Sequence, residues 1–223
     1  MAAPTALAGD DPSTGGVTAP APTQTEGVIS AQGPQLAIAT RAGAMARKLA
    51  RFRGTAPASA AGRTVTIERF DNATQAWVAL ASTTVDPDGT YVVRWRAGSP
   101  GAYRIRAVLQ SASDATTASA TPELTMTVHR PVMATWYGPG FYGRSTACGI
   151  RMTRSLLGVA HRTLPCGTQV AVLYKGRRIT VPVVDRGPFR RGTSYDLTAA
   201  TAQVLAFRHT DRLGAIRLRT ATP

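Results

Sequence analysis

Between residues 49 and 128, apolar and polar side chains alternate at every second position in run after run, and that period confines this part of the chain to sheets. The runs occupy residues 49–53, 64–70, 77–85, 91–96, 103–109 and 124–128, separated by turn-forming sequence such as Asp86-Pro87-Asp88-Gly89 and Gly98-Ser99-Pro100-Gly101. A strand of this kind shows one face to a core and one to solvent. About seven of them with no helical period predict two packed sheets, an immunoglobulin-like β-sandwich over residues 35–130.

The C-terminal part reads as all-β as well. Residues 170–174, a Lys175-Gly176 turn and residues 178–184 form a predicted hairpin. Pro182 cannot donate to a ladder, which places the second strand at an edge or at a bulge. A short helix is expected over 198–206 and a closing strand over 215–219. His129-Arg130-Pro131 reads as a hinge, so that residues 131–223 form a second domain. Residues 1–34 read as a leader: Ala6-Leu7-Ala8 has the form of a secretory cleavage site, and the Pro-, Thr-, Gly- and Ser-rich stretch from Gly9 to Pro34 suits a disordered linker. No stretch of the sequence is long and apolar enough to span a membrane.

The net charge of +14 is unevenly spread. Residues 1–130 carry 12 basic against 9 acidic side chains, and residues 131–223 carry 14 against 3. Such a field concentrates polyanions, either nucleic acid or an anionic cell-wall polymer. All the basic residues except Lys48 and Lys175 are arginine, whose guanidinium fork suits phosphate and carboxylate. Cys148 and Cys166, the only cysteines, lack the paired spacing of a zinc or redox site and predict a disulfide, hence an oxidising compartment. The histidines, cysteines and aspartates of this half show no ligand spacing, so neither metal nor cofactor is expected.

Scarcity of acid marks the candidate chemistry. Beyond Pro131 the only carboxylates are Asp185, Asp196 and Asp211. Asp185 ends an apolar run and enters a turn made by Arg186, Gly187 and Pro188; Asp196 follows eleven positions later. Upstream, Trp136, Tyr137, Phe141 and Tyr142 interleave with glycine in a loop that could present a platform for sugar rings, with Trp136 expected to pack inward and Tyr137 or Tyr142 to be presented. Asp185 also suits a turn cap, and Asp196 the N-cap of the helix that follows.

The segments ATWYGPGFYGRSTACG, AHRTLPCGT and VVDRGPFRRGTSYDLTAATAQVL, in this order across nearly all of residues 134–218, resemble the rare lipoprotein A family of double-psi β-barrels. The resemblance implies a six-stranded barrel with a surface groove for a β-1,4-linked glycan, and lytic transglycosylase activity on peptidoglycan strands stripped of stem peptides. It carries the family's essential aspartate onto Asp185 and its important histidine onto His161, whereas the key acid of related barrels falls on Asp196. Trp136, Tyr137, Tyr142, Thr146, Arg186 and Phe189 are the candidate substrate contacts. Two positions depart from the family pattern, which commonly has asparagine where this chain has Val184 and Cys148.

A lytic transglycosylase needs one carboxyl group, which protonates the leaving oxygen and then accepts the proton of the sugar's own 6-hydroxyl; a hydrolase usually needs two. The expectation is a secreted, monomeric wall protein of two domains whose partner is peptidoglycan glycan, with no nucleic-acid partner. The alternative is an expansin-like glycan-binding module without bond cleavage.

Overall fold

The computed structural model describes residues 24–25, 27–110 and 122–218. In chain order its strands are β1 (Gln24–Thr25), β2 (Val28–Gln32), β3 (Ala37–Arg41), β4 (Gly43–Met45), β5 (Leu49–Thr55), β6 (Thr64–Asp71), β7 (Ala76–Thr84), β8 (Thr90–Arg96), β9 (Gly101–Leu109) and β10 (Glu123–Tyr137). After these come β11 (Val159–Ala160), β12 (Gln169–Tyr174), β13 (Arg177–Asp185), β14 (Tyr195–Thr198), the α-helix α1 (Ala199–Leu205) and β15 (Asp211–Arg217).

The alternating runs become two sheets packed face to face. One has the order β2-β3-β5-β8; the other is built from β4, β10, β9, β6 and β7. Their inward side chains, including Ile38, Phe52, Val93, Ile67, Ile105 and Met126, form one core. Each large aliphatic buried there contributes roughly 1.5–3 kcal/mol. Residues 28–32, expected to be disordered linker, instead form β2, paired with β3 along its whole length. The proposed leader site at Ala6-Leu7-Ala8 lies outside the described residues.

The second core belongs to a closed barrel. Its six strands run in the order β10-β15-β12-β13-β11-β14, and β14 closes onto β10 in parallel. Val159, Val172, Val181, Val183, Leu197 and Leu213 fill it. The predicted hairpin forms β12 and β13, with Lys175 and Gly176 both at positive φ.

The expected hinge at residues 129–131 is instead the middle of β10. Within this one 15-residue strand, Glu123–Val128 pair with β9, 127–129 with β4, 130–134 with β15 and 134–137 with β14. Pro131 is accommodated opposite Gly214, and ladder partners continue on both sides of it. His129 is fully buried at this junction, with Nδ1 3.3 Å from the Ala44 carbonyl oxygen and no hydrogen-bond partner for Nε2 among the described residues. Gly214 on β15 makes room for it, since a Cβ there would lie 2.7 Å from that of His129. Burial pulls the His129 pKa down to about 4. A single continuous strand thus runs from the paired sheets to the barrel site.

Candidate active site

Asp185 owes its position to a bulge. Along β13 buried and half-buried residues alternate up to Val183, and then Val184 is buried too, so the period breaks one residue before the aspartate. The pairing records the same slip: Val159 faces Val183, but Ala160 faces Asp185. Pro182 faces Gln169 of β12, and the pairing of β13 with β11 begins only at Val183, so the proline sits just before the irregularity where β13 is laddered on its β12 side. Val184 packs against Gly158.

Ala160 also faces Asp196, and Asp196 faces Thr135. Asp185, Ala160, Asp196 and Thr135 therefore form one row across β13, β11, β14 and β10. Two interstrand steps separate the aspartate Cα atoms, about 10 Å. Tyr195 and Leu197 point into the barrel core, so Asp196 between them, and with it the row, faces the outer wall.

Asp185 is addressed from three directions. Its Oδ1 accepts from the backbone N–H groups of Ala147 and Arg186, both at 2.8 Å, and its Oδ2 accepts from the Tyr137 hydroxyl at 3.2 Å. Burial, followed by the charge of Asp185, pushes the Tyr137 hydroxyl pKa up, which keeps that group a proton-bearing donor. Asp196 is held differently. The Thr135 hydroxyl donates to its Oδ1 at 2.8 Å, but burial raises its pKa and the neighbouring Asp185 raises it further. Asp196 does not cap the helix. Thr198 does, accepting from the Thr201 N–H, so the aspartate is left facing the wall.

The loops around the row are tied by backbone carbonyls. Arg186 turns away from Asp185 and donates to the carbonyl oxygens of His161 and Leu164, with Nη2 3.3 Å from Cys166 Sγ. Arg162 does the reciprocal work, donating to the carbonyls of Pro188, Arg190 and Thr193 in the loop after β13. The Cys148–Cys166 disulfide forms, with a Cα–Cα distance of 5.8 Å, and joins the loop that supplies the Ala147 N–H to the loop that Arg186 holds.

Residues 130–219 match the DPBB_1 family model, described as lytic transglycolase. The barrel, then, carries an RlpA-like domain. Over 88 residues the chain is 46% identical to the "Probable endolytic peptidoglycan transglycosylase RlpA" of Synechocystis sp., covering 39% of this chain and 27% of that protein. Over 74 residues it is 50% identical to the protein of the same name from Aquifex aeolicus, covering 32% and 33%. Over 81 residues it is 40% identical to the "Endolytic peptidoglycan transglycosylase RlpA" of Rickettsia prowazekii, covering 34% and 25%. This chain thus spans about a quarter to a third of the length of these curated relatives.

Within this DPBB_1 barrel the sequence-predicted residues separate into groups. Asp185, Asp196 and Tyr137 come together as described. His161 meets Asp185 through the backbone, its N–H donating to the Asp185 carbonyl at 3.2 Å. Its ring lies on Tyr195, with centroids 4.7 Å apart, and Nδ1 accepts from the N–H groups of Thr163 and Leu164. That pattern fixes the tautomer with hydrogen on Nε2, and burial together with Arg162 and Arg186 lowers its pKa. Thr146 spends its hydroxyl within its own loop, accepting from the Ile150 N–H. Trp136, expected inside, is exposed, with its indole N–H on the Arg208 carbonyl. Phe141 and Phe189 are also exposed, Phe189 at 82%, whereas Tyr142 is half-buried beneath Arg154. Two contributors escaped the sequence: the Ala147 N–H, which no side chain advertises, and Arg162, whose partners are all carbonyls. Among the described residues no group of three or more His, Cys, Asp or Glu side chains is placed to hold a metal ion.

Proposed function

We propose that the chain is a lytic transglycosylase that cleaves peptidoglycan glycan strands to 1,6-anhydro-muramyl ends, with Asp185 as its proton-transferring carboxyl group. The observation that carries this reading is the placement of Asp185 at the bulge, held by two backbone amides and a tyrosine hydroxyl. The exposed rings of Phe141 and Phe189 stand nearby to support sugar.

In this mechanism the protonated carboxyl group gives its proton to the glycosidic oxygen as the bond from C1 to that oxygen breaks. The 6-hydroxyl of the same muramyl residue attacks C1, and its proton passes to the carboxylate, which returns to its starting state. No water is consumed. Burial, and after it the charge of Asp185, discourages ionisation of Asp196, so that the second carboxyl group of the row favours its protonated form. Tyr137 and the Ala147 N–H fix the carboxyl group in register with the bond. Trp136, Phe141 and Phe189 provide the sugar platform, and His161 acts as a donor from Nε2 or as a support for the loop.

The activity for which the relatives are named supports this reading, as does the disulfide, which suits the oxidising space where peptidoglycan lies. We take the protein to be secreted to the cell wall, with the paired sheets serving as an immunoglobulin-like spacer domain. Release of soluble sugar from peptide-stripped glycan tests the assignment. Wild type releases it, Asp185→Asn does not, and binding without release by wild type would reduce the barrel to a glycan-binding module.

A further inference from the structure

The most unusual surface lies far from Asp185. The four strands β2, β3, β5 and β8 contain five arginines, Arg41, Arg51, Arg53, Arg94 and Arg96, and not one acidic residue. All five are exposed, because in β5 and β8 they alternate with the buried residues Ala50, Phe52, Val93 and Trp95. Arg51 and Arg94 are direct cross-strand partners, and like charges placed so destabilise a sheet. Arg51 and Arg53 sit two residues apart on one face, about 7 Å along the strand.

The opposite sheet shows what the same residue type does when its charge is satisfied internally. There Arg69 meets Asp71, Arg104 meets Glu123 and Arg106 meets Glu68, at 2.7–3.0 Å. Among the described residues no ion pair reaches the five arginines of the first sheet. Towards the barrel this face opens into a cleft of about 620 Å³, lined by Arg41, Arg51, Arg53, Lys48 and Lys175 among others. The cleft also carries aliphatic surface from Val28, Leu49 and Leu173, but no aromatic side chain.

We propose that this face and its cleft bind a linear phosphodiester chain without bases or sugar rings, a polyol phosphate. The repeated guanidinium groups match closely spaced phosphates in charge and fork geometry. Nucleobases and sugar rings are both recognised by stacking on aromatic faces, and this surface offers none. The polymer's phosphates supply the counter-charge that the sheet lacks, relieving the Arg51–Arg94 repulsion. The site stands apart from Asp185 and is independent of the glycan chemistry proposed above.

The test is fluorescence anisotropy of the full chain with labelled poly(glycerol phosphate), with a single-stranded oligodeoxynucleotide of equal charge as comparison. Wild type binds the polyol phosphate more tightly, and binding weakens steeply with salt. Arg51→Gln/Arg94→Gln weakens it by roughly tenfold or more and flattens the salt slope, whereas the charge-matched Arg212→Gln/Arg217→Gln pair on β15 changes it less than about twofold. In the free protein Arg94→Gln raises Tm by roughly 1–3 °C, because the repulsion is gone. Equal losses from the two double variants would overturn the proposal, since binding would then follow net charge alone. Tighter binding of the oligonucleotide, or no binding of the polyol phosphate, would overturn it as well.

Discussion

The barrel and the paired sheets are both rich in arginine, but they use it in opposite directions. In the barrel Arg162 and Arg186 turn inward onto backbone carbonyls, lock two loops against each other, and leave Asp185 and Asp196 facing the outer wall, with no cationic partner at hydrogen-bond distance among the described residues. In the sandwich the acidic residues of one sheet are consumed in ion pairs, and among the described residues the arginines of the other sheet have no ion-pair partner. The location of the few carboxylates therefore says more about chemistry than does the total charge. An acid left unpaired beside aromatic rings is available for proton transfer, whereas one in a surface ion pair is not.

The contrast predicts its largest effect at the carboxylates. Asp185→Asn lowers the rate of glycan release by about 10²–10⁴-fold, the range typical for loss of a general acid. Glu68→Gln in the sandwich leaves that rate unchanged and costs less than about 1 kcal/mol of stability, because its pair with Arg106 lies near the surface. Rate assays beside urea unfolding separate the two. The junction comes next. His129 titrates only near pH 4 when folded but in the ordinary histidine range when unfolded, so the unfolded chain binds more protons in between. Stability is therefore retained above about pH 6.5 and falls by up to about 3 kcal/mol as pH drops towards 4. Replacing His129 by leucine removes this pH dependence, as thermal unfolding at several pH values would show.

Cys148→Ser/Cys166→Ser destabilises the chain by about 3 kcal/mol through the freed loop and also slows glycan release, since the Ala147 N–H is no longer held against Asp185. Conservation of full activity in this variant would show that the amide is not needed. Tyr137→Phe removes one hydrogen bond and costs less, about tenfold in rate. Asp196→Asn produces the smallest stability change, and its sign is informative. The folded pKa is raised, so the wild-type aspartate costs stability as pH rises above the ordinary carboxylate range. The asparagine variant is then slightly more stable at pH 7, and the gain vanishes towards pH 4.

Much of the fold was legible because period-two alternation survives wherever a strand has one wet face. The strands β5 to β9, the β12–β13 hairpin, the helix after Asp196 and the disulfide all follow from local pattern. The hinge did not, because Pro131 punctuates a sequence only where a strand lacks partners, and here β4 and β15 take over from each other along β10. Val28–Gln32 looked like linker because its apolar residues are few, yet it needs only β3 beside it to form a strand. At the site, the motif residues were readable and their supports were not. The Ala147 amide and the carbonyls gripped by Arg162 and Arg186 leave no mark in side-chain identity. Trp136, expected to pack inward, is exposed because it lies past Ala134, where the pairing of β10 with β15 stops and only β14 continues beside it.

The most direct test of the central claim is mass spectrometry of the sugars released when the full chain is incubated with peptide-stripped peptidoglycan strands. The proposed mechanism predicts muramyl ends in the 1,6-anhydro form, one water lighter than hydrolysed ends, and their disappearance in Asp185→Asn. Reducing muramyl ends, or undiminished anhydro product from Asp185→Asn, would contradict it.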